Sequence, residues 1–410
     1  MSQSRRIAII GAGAAGLVSA RECLRQGLES VVYEASDRVG GVWNYTDKVE
    51  DDLLGLNPSR PLHGSLYKNL RTNLPRKLMA FRDFLFEPEG VEAQFVGHEV
   101  VLQYLKDFSG HFDLYPAIEF NAQVELVSPL PRGKWQLRVN GQKSEFDGVM
   151  VCNGHYSKPR IPSISGMESF PGILLHSHNY RTPETFSGKR VALFGAAASA
   201  LDLSLEINQV ADQVFWCAEE HAEIDVDQEI IRCPAPKRFE ANGLILKGAS
   251  RIDRLDAFIF CTGYHYHFPF LDSDLVKVAD NWVHPLYQEL VPPLHPTIAF
   301  VGLPYAVIPF PLFEIQAKWF TRMLADCFKL PSGSVMEAWC LEKAAWLKAN
   351  KAKQRNFHKK GVEQYAYMNA LAEECGADPL PDWFEPLAQA IRNARLEDPV
   401  NYRDKLRINP

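Results

Sequence analysis

The sequence has eight cysteines, at positions 23, 152, 217, 233, 261, 327, 340 and 375, yet no C-x-x-C pair. That absence excludes a thioredoxin-type dithiol centre and a zinc ribbon. It leaves reduced, buried thiols as the expectation. No apolar run reaches the roughly 18 residues that a membrane helix needs. Only a few residues precede the first strand-like run, so no signal peptide is expected, and the C-terminal stretch 402–410 is polar. Positive charge is also in short supply. The formal net charge of −6 argues against a nucleic-acid or anionic-membrane partner. His265 and His267 alternate with aromatics but lack a third ligand, so no metal site is expected. No catalytic triad or carboxylate pair stands out. A cytoplasmic chain is the expectation.

The motifs point to nucleotides. A chain of 410 residues suggests two or three domains. Arg6-Ile7-Ala8-Ile9-Ile10 is a short apolar run suited to a strand buried on both faces. Gly11-Ala12-Gly13-Ala14-Ala15-Gly16 follows, then a helical pattern from Leu17 to Leu24, then a second strand, Ser30 to Tyr33, closed by Glu34. This is the full strand–turn–helix–strand–acid unit of a dinucleotide site. The first glycine permits the tight turn, the second lets backbone approach a pyrophosphate, and the third lets helix pack on strand. The helix N-terminus then offers free amides to phosphate. Glu34 follows Gly11 by 23 residues, near the expected ~20. A carboxylate there accepts from a ribose 2′-hydroxyl and repels a 2′-phosphate, which selects FAD or NAD over NADP. Arg38-Val39-Gly40-Gly41-Val42-Trp43 would let the chain pass close to the longer of these ligands.

A second, degraded unit lies mid-chain. The reading predicts a strand over 189–194, the turn Gly195 to Ala200, a helix through Leu201 and Leu205, and a strand over 213–216. Ala197 and Ala200 stand at the second and third glycine positions. Alanine is tolerated at the third, but at the second its methyl group lies on the pyrophosphate path. Ala218, where an acid or arginine would discriminate the ribose, is neither. Arg181, Lys189 and Arg190 are the basic candidates nearest in sequence for a 2′-phosphate. Further strands are predicted over 122–127 paired with 135–139, 148–151, 243–246 and 256–260. The 148–151 strand ends in Cys152-Asn153-Gly154, and the 256–260 strand in Cys261-Thr262-Gly263-Tyr264. Such strand ends are where α/β sheets place ligands. Residues 67–84 read as a structured surface loop, with a helix over 100–108. Residues 301–311 read as irregular, a helix starts at Glu314, and the chain is mostly helical from Val335, with breaks at Gly361, Gly376 and 379–381.

With these residues assembled, the chain resembles the flavin-containing monooxygenase family. Its F-x-G-x-x-x-H-x-x-x-(Y/F) fingerprint is matched by Phe170, Gly172, His176 and Tyr180. Tyr180 stands where Baeyer-Villiger monooxygenases, the nearest rival chemistry, carry tryptophan. The resemblance covers nearly the whole chain. Residues 67–75 and 152–156 look like the insect branch, which includes pyrrolizidine-alkaloid N-oxygenases such as those acting on senecionine.

The resemblance implies two doubly wound dinucleotide-binding domains of α/β class, the second inserted into the first. An FAD domain would span 1–165 and 290–410, and an NADP domain 166–289. It implies that NADPH reduces FAD, that dioxygen adds to flavin C4a, and that an amine nitrogen or a sulfur attacks the resulting hydroperoxide. Asn73 would be the catalytic residue, holding that hydroperoxide. Cofactor contacts would fall at Gly11, Gly13, Ala15, Gly16, Glu34, Arg38, Gly41, Val42, Trp43, Thr72, Asn73, Val124, Asn153, Gln316, His176, Tyr180, Arg181, Gly195, Ala197, Ala198, Ser199, Thr262 and Gly263, with Gln316 on the FAD. The substrate would be a small amine or sulfide. A Baeyer-Villiger oxygenase and an uncoupled NADPH oxidase are the alternatives, and association of copies is left open.

Overall fold

In the computed structural model, residues 4–87, 92–221, 229–272 and 274–408 are described. They fall into two compact units. One comprises Met1–Trp43, Leu74–His155 and Tyr266–Leu387, the other Asn44–Asn73, Tyr156–His265 and Ala388–Pro410.

The first unit is built on a five-stranded parallel sheet. Its strand order is Ile298–Phe300, Gly148–Val151, Arg6–Ile10, Glu29–Tyr33, Ile118–Glu119. Ile7, Ala8 and Ile9 are fully buried, as a near-continuous apolar run demands of a strand covered on both faces. The period of two divides them. Ile7 and Ile9 pack with Leu17, Val18 and Trp319 under the helices Ala14–Arg25 and Pro309–Leu324. Ala8 and Ile10 pack with Trp135, Leu137 and Val139 of an antiparallel sheet formed by Val124–Pro129, Trp135–Val139 and Gln142–Phe146. Each fully buried aliphatic side chain contributes about 2 kcal/mol by removal from water.

The second unit repeats the scheme. Its parallel order is Ile230–Pro234, Gln213–Ala218, Arg190–Phe194, Ala257–Phe260, Ile173–His176. Val191 and Leu193 face the helix Ala198–Asn208, while Ala192 faces a small antiparallel sheet of Pro236–Glu240, Gly243–Leu246 and Arg251–Asp253. Both units are therefore doubly wound α/β folds, with a small antiparallel sheet covering one face of each parallel sheet.

Two expectations are corrected. The helix predicted to start at Glu314 begins at Pro309. Pro309 and Pro311 occupy its first turn, where the missing N–H groups would be unpaired anyway. The end of the supposed surface loop is core. After the short helix Arg76–Met79, Phe81 is fully buried, its ring 4.7 Å from that of Phe108 and 5.2 Å from that of Phe310. Among the described residues no helix is long and apolar enough to cross a membrane.

Candidate functional site

In the first unit the dinucleotide turn leaves the carboxyl end of the central strand, between neighbours that lie to either side of it, the switch point where such sheets bind ligands. Gly11 has φ +101°, and a β-carbon there would lie 2.7 Å from the Cys152 carbonyl oxygen. That close approach brings Asn153 beside the turn. Asn153 Nδ2 donates to the His267 carbonyl at 3.0 Å, which leaves the amide oxygen outside that bond. A β-carbon on Gly16 would lie 1.8 Å from the Gly11 oxygen, so helix Ala14–Arg25 can seat on its strand only with glycine there. Ala15 sits in that helix's first turn, whose N–H groups have no acceptors within the helix and which carries no acidic side chain.

The second glycine pair is anchored onto this turn. Gly40 N–H donates to the Ala12 carbonyl at 2.9 Å. Gly41 begins a single 3₁₀ turn, Gly41–Trp43, that carries Val42 and sets the Trp43 ring edge-on to Phe310. Glu34 is buried at the end of its strand. Its Oε2 accepts from Ala12 N–H at 2.7 Å, and its Oε1 from Ser36 N–H and Oγ at 2.9 and 2.7 Å. A carboxylate offers about four lone-pair directions, so Oε2 can take one more donor, such as a ribose hydroxyl. The Ala122 N–H bonds the Glu34 carbonyl at 2.9 Å, which draws the start of the Val124 strand to the same place; Val124 itself is buried. Arg38 is exposed and bidentate with Asp37 at 2.6 and 2.9 Å.

Gln316 is fully buried on the helix Pro309–Leu324. Its Oε1 accepts from Gly302 N–H at 2.8 Å and its Nε2 donates to Tyr367 Oη at 2.9 Å. Its side chain therefore braces Gly302, at φ +91° over the Phe313 ring. Gly302 and Tyr367 escaped sequence reading because neither belongs to a motif.

The second unit holds the other turn in the same topological position. A β-carbon on Gly195 would lie 2.2 Å from the Cys261 oxygen, and the Trp216 indole donates to the Gly195 carbonyl at 2.7 Å. Ala197 caps the helix Ala198–Asn208 with extended backbone, and Ala197 and Ser199 are exposed. The methyl group of Ala197 is thus exposed at the start of that helix. Thr262 and Gly263 are tied down beside it: Thr262 Oγ1 donates to the Arg160 carbonyl, and Arg160 N–H to the Gly263 carbonyl at 2.9 Å.

The fingerprint residues are interior. Phe170 lies in the core, and a β-carbon on Gly172 would lie 2.5 Å from the Asp256 oxygen. His176 is fully buried. Its Nδ1 accepts from His178 N–H at 3.1 Å and its ring meets Tyr264 edge-on at 5.0 Å. Burial, aided by His178, pulls the His176 imidazole down to about 3, so it is neutral at physiological pH. Tyr180 is 1% exposed, and its hydroxyl donates to Glu206 Oε2 at 2.9 Å. Burial and the Glu206 carboxylate push that phenol up.

The basic candidates Arg181 and Arg190 are both held by contacts inside the unit. Arg181 is buried, with Nη1 on the His178 and Tyr180 carbonyls at 2.7 and 2.8 Å and Nε on the Lys48 carbonyl at 3.0 Å. Arg190 opens its five-residue strand, so at about 3.3 Å per residue it sits roughly 16 Å from Gly195, at the amino end of the sheet. Its Nε donates to the Asp253 carbonyl at 3.2 Å. Lys189 precedes it. Just past the Gln213–Ala218 strand, Glu219 pairs with Lys247 at 2.5 Å.

Asn73 ends a stretch that this unit holds firmly. Thr72 is buried, and its carbonyl accepts from Arg403 Nε at 3.1 Å. Arg403 and its partner Asp202 were not legible, because nothing in sequence links positions 72, 202 and 403.

Comparison with known proteins gives a consistent result. A model of the family described as "flavin-binding monooxygenase-like" matches residues 4–225 and 226–385. The Arabidopsis thaliana protein "flavin-containing monooxygenase FMO GS-OX-like 3" is 37% identical over 98% of this chain and 94% of its own length. The structure of S-allyl-L-cysteine S-oxygenase from Allium sativum superposes with a TM-score of 0.93 at 35% identity, covering 99% of this chain and 96% of that one. Tmm from Pelagibacter gives a TM-score of 0.84 at 26% identity, over 98% and 93% of the two chains.

Proposed function

Because the chain belongs to the flavin-binding monooxygenase-like family, we propose that it uses FAD and NADPH to transfer one atom of dioxygen to a soft nucleophile, and that a thioether sulfur is its preferred acceptor. The observation that carries the first half is the pair of glycine turns, each at the switch point of its own parallel sheet. Support for the second half is the likeness to an S-oxygenase over nearly the full length of both chains.

The first turn fits FAD. Gly13 and Gly41 leave no side chain between two backbone segments, the free amides of helix Ala14–Arg25 suit a pyrophosphate, and Glu34 retains acceptor capacity for a ribose. Bound flavin supplies the reduction of dioxygen and the transferable oxygen. The chain's own part is placement. Gly11, Gly13, Ala15 and Gly16 would hold its phosphates with backbone, Gly41, Val42 and Trp43 would hold the rest of the cofactor, and Asn153 and the Gln316–Gly302 brace would complete the setting. The turn Gly195, Ala197, Ala198, Ser199, with Thr262 and Gly263, takes the nicotinamide dinucleotide. His176, Tyr180 and Arg181 would complete that nucleotide site. The Asn73 carboxamide serves as hydrogen-bond donor to the oxygen being transferred, and exclusion of water keeps that oxygen from escaping as peroxide. Cytoplasmic placement is part of the same proposal, supported by the free cysteines.

None of the relatives described above is an insect protein, so alkaloid N-oxygenation is the competing substrate reading. The purified holoenzyme should be assayed with NADPH on a dialkyl thioether and on a tertiary amine. A higher kcat/KM for the thioether, with sulfoxide matching NADPH consumed, is expected. A higher kcat/KM for the amine would move the assignment to nitrogen.

A further inference from the structure

The stretch leading to Asn73 is fastened to the helix that follows the nicotinamide turn, within one unit, by a set of side chains drawn from distant parts of the sequence. Tyr67 Oη donates to Asp202 Oδ2 at 3.2 Å, and Asn69 Nδ2 to Glu206 Oε1 at 2.6 Å. Both acceptors lie on the helix Ala198–Asn208. The last fastening comes from the C-terminal segment. Arg403, on the short helix Tyr402–Lys405, donates through Nε to the Thr72 carbonyl at 3.1 Å and through Nη2 to both Asp202 oxygens at 3.2 Å. Its neighbour Asp404 takes Arg71 Nη2 at 2.8 Å.

One guanidinium thus joins the backbone of the residue before Asn73 to a carboxylate on the nucleotide helix. The planar fork of arginine presents its donors in fixed directions, so it can satisfy two acceptors at once where an ammonium cannot fix both. The Arg403 and Asp202 side chains are 14% and 15% exposed, so the pair is shielded from the screening that makes surface ion pairs nearly worthless. Burial pulls the Arg403 guanidinium down, but attraction to Asp202 and Tyr402 and the hydrogen bonds to Asp202 together outweigh it, so the group is held charged. Removing Arg403 would leave the Thr72 carbonyl and the Asp202 carboxylate short of a donor, and removing Asp202 would leave the guanidinium short of an acceptor.

We propose that Arg403 is a positioning residue for oxygen transfer, setting the Thr72–Asn73 peptide through its bridge to Asp202. The inference rests on the reading of Asn73 as the donor to the transferred oxygen. In productive turnover, NADPH, a proton, dioxygen and a thioether give NADP⁺, water and a sulfoxide. When the Asn73 amide is misplaced, the same NADPH, proton and dioxygen give NADP⁺ and hydrogen peroxide.

The test uses FAD-loaded wild type, Arg403→Ala, Arg403→Lys, Asn73→Ala and the double variant Asn73→Ala/Arg403→Ala. Sulfoxide and peroxide are measured per NADPH, and hydrogen–deuterium exchange over residues 67–73 is measured on the FAD-free proteins. Arg403→Ala should lower sulfoxide per NADPH by about tenfold, in the range that small misplacements cost, and by more than it lowers the rate of NADPH oxidation. It should speed exchange over residues 67–73, and add nothing to the defect of Asn73→Ala. Arg403→Lys should restore part of the yield. Sulfoxide per NADPH unchanged in Arg403→Ala, or a loss that recurs in full on the Asn73→Ala background, overturns the positioning role. An unchanged yield in Asn73→Ala overturns instead the reading of Asn73 on which it rests. Should Arg403→Ala fail to fold, Arg403→Lys and Asp202→Asn are read by the same criteria.

Discussion

The backbones of Gly13 and Gly41 face one another so closely that a β-carbon on Gly41 would lie 2.9 Å from the Gly13 α-carbon. Gly41 also holds φ +56°, a conformation that costs an ordinary residue about 1–2 kcal/mol. Gly41→Ala must therefore push the two segments apart where the dinucleotide turn needs bare backbone. The variant is expected to purify with little flavin, read as visible absorbance per protein, and to bind added FAD at least about tenfold more weakly. Full flavin content would remove Gly41 from the cofactor site.

Asn73→Ala separates reduction from oxygen transfer. Loss of a single preorganised donor typically costs on the order of a hundredfold in the step it serves. NADPH oxidation should continue while sulfoxide falls and peroxide rises to replace it. The stoichiometry of the three, taken in one assay, checks this.

Ala197 offers a gain of function. It caps an exposed helix start with extended backbone, a position glycine accepts at little cost, and its methyl group stands where the second glycine of the motif lets a pyrophosphate approach. Ala197→Gly should lower KM for NADPH a few-fold with kcat unchanged. An unaltered or raised KM would show that the dinucleotide does not ride on this turn.

His176 makes acid stability a local matter. Its folded-state pKa is depressed by burial to about 3, against about 6.5 in an unfolded chain. Between these values the unfolded chain binds a proton that the fold refuses, so stability falls as pH falls through that window. The cost is about 1.4 kcal/mol per pH unit for this one side chain. His176→Asn keeps an acceptor for the His178 N–H without the titration. Urea melts at descending pH should show the wild type losing its advantage over the variant at about that rate. A constant difference would mean that His176 is protonated in the fold.

Much of the architecture is legible in the sequence, because both parallel sheets announce themselves. Apolar runs such as Ile7–Ile10 and Val191–Phe194 end in small-residue turns, and the strand-turn-helix order is local in sequence. What escaped was non-local or chemically ambiguous. Phe81 belongs to a stretch with no apolar period, yet three aromatic neighbours bury it. Pro309 and Pro311 read as breakers but open a helix. Residues 44–73 and 388–410 join the unit of the second turn through contacts that no motif marks. The site divides the same way. Gly11, Gly16, Glu34 and Gly41 follow from a motif whose physics is backbone geometry. The Arg190 candidacy came from nearness in sequence alone, and the parallel strand carries it to the far end of the sheet. The fingerprint of Phe170, Gly172, His176 and Tyr180 was legible as a pattern. Its role as packed interior was not, since a pattern does not say which way side chains face.

The central claim is oxygen transfer from dioxygen to sulfur at the expense of NADPH. Its most direct test is turnover of the FAD-loaded enzyme on a dialkyl thioether under dioxygen labelled with oxygen-18, with sulfoxide analysed by mass spectrometry beside NADPH loss. The account predicts one labelled oxygen per sulfoxide and one sulfoxide per NADPH. Unlabelled sulfoxide, or peroxide equal to NADPH with no sulfoxide, would contradict it.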